Sequence, residues 1–132
     1  VQPFLTAATI LGVLAQRLVR KLCPHCKQES FLNEQEWQHL AADYPLPRPE
    51  FVFKAVGCEE CRHTGYKGRV GIYEFMPLSL ETKQMIGANA DLAQLRQQAR
   101  KEGIEPLRIA GARKVVAGVT TLEEVLRVVP LN

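Results

Sequence analysis

The four cysteines of this chain come as two Cys-x-x-Cys pairs, Cys23-Pro24-His25-Cys26 and Cys58-Glu59-Glu60-Cys61. A two-residue spacer lets both sulfurs of a pair face one point without strain. Two such pairs complete the four-thiolate shell of a single tetrahedral metal ion, with Cys23, Cys26, Cys58 and Cys61 as candidate ligands. The 31 residues between the pairs must then leave and return, so the metal ties two distant parts of the chain together. Zinc is the ion that closed all-thiolate structural sites most often hold, and iron satisfies the same spacing. A shell closed by four protein ligands has no open position for a substrate, so the site reads as structural, not catalytic. His25 and His63 flank the pairs and are alternatives to a cysteine ligand. Disulfides, free thiols or a redox-active pair are the alternatives to a metal. Disulfides need an oxidising compartment, and the N-terminus has no basic region, apolar run and small-residue cleavage site of a secretory signal.

With 132 residues the chain has the length of one ordinary domain or two small ones. Its hydrophobic fraction of 46% supports a folded core and argues against global disorder. A core of this size is modest, and a metal cross-link would help it. Seventeen basic and 14 acidic residues leave a net charge of +3, too small a bias to indicate nucleic acid by itself. No apolar run approaches the ~18 residues of a membrane span. The chain opens Val1-Gln2-Pro3, with no initiator Met, which reads as an excised fragment of a longer protein.

Periodicity and the cysteine pairs divide the chain into three parts: a helical segment within 1–22, a metal-binding module over 23–75 and a helical domain over 76–132. In the first, Leu11, Leu14, Ala15, Leu18 and Leu22 fit one buried face of a helix over 4–22, with Thr6 as N-cap. Gln16, Arg17, Arg20 and Lys21 then form its other side, either solvated or facing an acidic neighbour. In the second, Asn33-x-x-Glu36 predicts a capping box and a short helix over 34–42 with Trp37, Leu40 and Ala41 inward. Pro45, Pro47 and Pro49 impose an extended connector. Phe51-Val52-Phe53 and Val70–Tyr73 read as two strands of an antiparallel hairpin. In the third, Ser79 caps a helix over 80–86, Asp91 caps one over 91–102, and Pro106 opens one that buries Leu107, Ala110 and Val115. Thr121-x-x-Glu124 starts the last, with Leu122, Val125, Leu126 and Val129 inward. The predicted class is α+β, mainly α: a helical fragment with a small tetracysteine zinc-binding lobe that carries a short antiparallel hairpin.

Three stretches carry a resemblance. Leu14-Ala15-Gln16-Arg17-Leu18-Val19-Arg20-Lys21-Leu22-Cys23-Pro24-x-Cys26 resembles the segment after the catalytic core of the type II secretion and type IV pilus assembly ATPases, the GspE/PilB group. Gly57-Cys58-x-x-Cys61-x-x-x-Gly65-Tyr66-x-Gly68-Arg69-x-Gly71-Ile72-x-Glu74 resembles the family's second knuckle and its strand. Gly118-x-Thr120-Thr121-x-Glu123-Glu124-Val125-Leu126-Arg127-Val128 resembles its C-terminal helix. The resemblance implies a cytoplasmic hexameric ATPase, peripheral to the inner membrane, that works on inner-membrane platform proteins. It implies structural zinc here, and ATP and Mg only in the parent protein. A Walker A loop would read Gly-x-x-x-x-Gly-Lys-Ser/Thr and is absent from these 132 residues. The fragment is accordingly expected to be inactive alone and monomeric, with no catalytic residue. Pilus assembly is favoured slightly over secretion.

Two other classes compete. A zinc-ribbon nucleic-acid module would suit the pI of 8.8 and the Lys67 and Arg69 turn between Tyr66 and Tyr73, but the basic residues are scattered and no stacking platform is evident. A thiol–disulfide oxidoreductase normally opens a helix with its Cys-x-x-Cys, which neither pair does in this reading.

Overall fold

Cys23 lies at the end of a strand, where a helix end was expected. The computed structural model of the protein describes residues 12–42, 44–77, 79–88 and 92–129. Along the chain these form β1 (Gly12–Leu22), β2 (Gln28–Ser30), α1 (Glu34–Ala41), β3 (Val52–Lys54), a 3-10 turn (Glu59–Cys61), β4 (Tyr66–Pro77), α2 (Leu80–Gly87), α3 (Leu92–Lys101), α4 (Leu107–Val116) and α5 (Leu122–Val128). β1 pairs with β4, and β2 pairs antiparallel with β3 in the register Gln28↔Lys54, Glu29↔Phe53, Ser30↔Val52. Five α-helices and two small two-stranded sheets among the described residues make the class α+β and mainly helical, as expected.

Two expectations are corrected. Over residues 12–22 the predicted helix is a strand; the rest of that prediction, Thr6 included, lies outside the described residues. The supposed inward stripe is inward only at its end: Leu22 is buried, but Leu14 is 59% and Leu18 48% exposed, whereas Val19, outside the stripe, is fully buried. A short apolar run fits a 3.6-residue period by chance, and here β4 supplies the backbone partners that settle the matter. The second correction concerns pairing. Both predicted strands exist, but β3 takes β2 as its neighbour and β4 takes β1, so no hairpin joins them.

The chain forms two compact units. One takes the described residues of Val1–Ala15 and Tyr73–Pro106. In it Ser79 Oγ accepts the Thr82 N–H at 3.1 Å and starts α2, as the sequence predicts. Gln98 Nε2, Ser79 Oγ and Thr82 Oγ1 all donate to Glu102, and these bonds, that of Gln98 foremost, lower its pKa. Asp91, the expected cap of α3, lies outside the described residues.

The other unit takes Gln16–Ile72 and the described residues of Leu107–Asn132, and it contains all four cysteines. Its core joins Trp37, Leu40 and Ala41 of α1, as predicted, to Val19, Val52, Ile72, Leu107, Ala112, Val115, Leu122 and Val125. α4 buries Ile109, Gly111 and Ala112 in addition to the expected Leu107 and Val115, while Ala110 is only half-buried. The Asn33 cap is present: Asn33 Oδ1 accepts the Glu36 N–H at 3.1 Å, and Asn33 Nδ2 donates to Glu36 Oε1 at 3.1 Å. Asn33→Ala is expected to cost about 1 kcal/mol in urea unfolding without changing the m-value.

Candidate metal centre

β1 delivers Cys23 and the turn into β2 delivers Cys26; the turn between β3 and β4 delivers Cys58 and Cys61. Lys27 N–H donates to the Cys23 carbonyl at 3.1 Å, and Cys61 N–H to the Cys58 carbonyl at 3.2 Å. Each turn folds its two sulfurs to one side. The Cys23 N–H also donates to the Gly65 carbonyl at 2.9 Å, which fastens the two turns to one another through the backbone.

The four Sγ atoms lie within 4.8 Å of one another. Cys23–Cys58 is 3.7 Å, Cys26–Cys61 3.8 Å and Cys58–Cys61 3.8 Å. A tetrahedron with sulfur about 2.3 Å from its centre has edges of about 3.8 Å. A disulfide would need about 2.05 Å, and all four cysteines are free. The arrangement could therefore hold a metal ion between the sulfurs. His25 and His63 are exposed and stand outside the cluster.

Backbone N–H groups are aimed at the sulfurs. Gly57 donates to Cys26 Sγ at 3.3 Å, Cys58 to Cys61 Sγ at 3.3 Å and Gly65 to Cys61 Sγ at 3.2 Å. Such bonds favour thiolate over thiol. Burial opposes charge at Cys61, but the N–H groups of Cys58 and Gly65 outweigh it and lower the thiol to about 6. At Cys58 burial prevails and the thiol rises to about 11.

Two of these donors are glycines in left-handed backbone, Gly57 at φ +112° and Gly65 at φ +83°. At Gly65 a Cβ would sit 2.5 Å from Ala55 Cβ, so the position excludes a side chain by both conformation and space. Gly65→Ala is expected to destabilise the fold by about 2–3 kcal/mol, read by urea unfolding with metal present.

The chain as a whole matches a known family. A family model described as type II/IV secretion system protein covers residues 1–127. The chain belongs to that family. It is 66% identical over its full length to a type IV pilus assembly ATPase, TfpB, of Acinetobacter baylyi. It is 43% identical over 97% of its length to the type II secretion system protein E of Pseudomonas aeruginosa, and 39% identical over 96% to the type IV pilus assembly ATPase PilB of Thermus thermophilus. The chain spans 23%, 25% and 14% of those three relatives, respectively. Among its described residues, no helix is long and apolar enough to cross a membrane.

One residue of this secretion-family chain escaped sequence reading. Glu124, read along the chain only as part of the Thr121-x-x-Glu124 start of the last helix and not among its inward residues, has a side chain only 1% exposed. Thr121 Oγ1 does accept the Glu124 N–H at 3.1 Å. The Glu124 carboxylate, however, turns to Arg20, accepting its backbone N–H at 2.8 Å and its guanidinium at 3.0 Å, and it also pairs with Arg127 at 3.0 Å. Arg20 in turn lies over the Tyr66 ring, 4.1 Å from its centroid, and Tyr66 Oη bonds Thr121 Oγ1 at 2.8 Å. Of the four residues assigned to the polar side of the first segment, Arg20 thus meets an acidic partner within its own unit. Nearby, Lys21, Lys27 and Lys67 line a depression of about 450 Å³ at the end of α4. Lys27 Nζ donates to the Gly118 carbonyl there at 2.8 Å, a cation placed on the negative end of a helix.

Proposed function

We propose that this chain is the C-terminal metal-binding and helical part of a hexameric cytoplasmic ATPase that powers type IV pilus assembly or type II secretion, with pilus assembly slightly favoured. Cys23, Cys26, Cys58 and Cys61 hold one structural zinc ion. The observation that carries the metal reading is the spacing of the four sulfurs, at 3.7–3.8 Å along three edges. Zinc supplies a cross-link there: four thiolates on one ion join the β1–β2 and β3–β4 connections. The family membership and the 66% identity to a pilus assembly ATPase support the motor role. ATP and Mg are bound by other parts of the parent, since these residues contain no Walker A loop. The lobe acts as a rigid attachment that transmits motion of the motor core to inner-membrane platform proteins or packs on a neighbouring subunit.

Elemental analysis tests the first half: one zinc per chain is expected, and a folded, metal-free protein overturns it. For the second half, all four cysteines are changed to serine in the full-length protein. Hexamer assembly or platform binding, followed by sedimentation and co-purification, is expected to fail. If both are unchanged, the lobe has no part in either.

A further inference from the structure

Residues 119–124 close one edge of β1 just before it delivers Cys23. In a strand, the N–H and C=O of alternate residues point to the same edge. On one edge of β1, Arg20 N–H donates to Glu124 Oε2 at 2.8 Å, the Arg20 carbonyl accepts from Thr120 Oγ1 at 2.7 Å, and Leu22 N–H donates to the Val119 carbonyl at 2.8 Å. A carboxylate, a hydroxyl and one carbonyl thus do the work of a neighbouring strand. Glu124 and Thr120 are both buried, so these bonds face little competition from water. The next residue, Cys23, is fully buried and is tied by its own N–H to Gly65 of the other turn. Its sulfur is therefore aimed by backbone held on one edge by residues about 100 positions along the chain and at Cys23 itself by Gly65.

We infer that Glu124 and Thr120 are positioning residues of the metal centre, holding the last residues of β1 before Cys23 so that its sulfur is aimed at the other three. The inference rests on the zinc reading above. Groups that orient a metal's ligands change its affinity by about 10–100-fold when removed. Neither residue touches a sulfur, so effects at or below the lower limit are expected.

The test is transfer of zinc from the loaded chain to a chromophoric chelator at neutral pH, with stability measured in parallel. Glu124→Gln is expected to speed transfer about tenfold, and Thr120→Val, which keeps shape and removes one bond to β1, about threefold. Leu40→Ala is the control: it empties a buried site on α1 and costs about 2–5 kcal/mol, yet it is expected to speed transfer clearly less than Glu124→Gln does. If Glu124→Gln does not fold, Thr120→Val decides alone. Wild-type transfer rates in both β1-edge variants, or equal acceleration by Leu40→Ala, overturn the positioning role and leave the zinc reading standing. A wild-type chain that carries no zinc overturns both.

Discussion

Replacing Cys23 with serine is expected to leave a chain that retains no zinc through purification and melts without a cooperative transition at 25 °C or above. Cys23 is fully buried at the junction of β1 and the first turn, so the serine hydroxyl would stand in for a thiolate at a site closed to bulk solvent. Structural zinc contributes about 10–16 kcal/mol of apparent binding free energy at neutral pH. A whole domain has a net stability of only about 5–15 kcal/mol. Losing a large part of the first figure therefore exceeds the second. The unit that holds the cysteines also holds Trp37, Leu40 and the α4–α5 core, so the loss is expected to spread beyond the two turns. Circular dichroism melts with and without a chelator would show it: chelated wild type and Cys23→Ser should coincide. A cooperative melt of metal-free Cys23→Ser at the wild-type temperature would show that the hydrophobic core suffices without the cross-link.

Glu124→Gln is expected to destabilise the fold by about 2–3 kcal/mol at pH 7, and by progressively less in acid. Burial alone would raise the Glu124 pKa, but hydrogen bonds from Arg20 and Arg127 outweigh it and hold the carboxyl at about 2, against an ordinary value of 4.5. The folded state thus binds its proton more weakly than the unfolded state does. The resulting stabilisation is fully present above about pH 4.5 and is lost as pH falls through about 2. A shift from 4.5 to about 2 corresponds to roughly 3 kcal/mol, reduced somewhat because the Arg20 and Arg127 side chains are 47% and 61% exposed. Release of the proposed zinc at low pH would also weaken the wild type, so the informative quantity is the difference between the two proteins in urea at each pH. A difference that stays constant from pH 7 down to pH 3 would mean that Glu124 acts by shape and not by charge.

Both effects follow from contacts that differ in how visible they are along the chain. The cysteine cluster is local twice over: each pair needs only a two-residue spacer, and the glycines that donate to its sulfurs, Gly57 and Gly65, stand within four residues of a ligand. Helix starts are equally local, because an N-cap side chain reaches the N–H three residues on, as Asn33, Ser79 and Thr121 do. The Arg20–Glu124 pair spans 104 positions, and a glutamate in the first turn of an amphipathic helix has the same signature whether it meets water or a buried arginine. Nothing short of folding could show which.

What the sequence by itself determined, then, is the set of four cysteines that come together, the caps of α1, α2 and α5, and the helical character of the second half. These depend on spacings of two to four residues, which backbone geometry converts directly into structure. Tertiary structure alone decided that residues 12–22 are a strand, that β4 pairs with β1 and β3 with β2, and that Glu124 is buried. A strand has no hydrogen-bond partners of its own, so its state and its neighbour are set by whatever the rest of the chain brings alongside. For β1 that is β4 on one edge and residues 119–124 on the other, and together they carry Cys23 to the other three sulfurs.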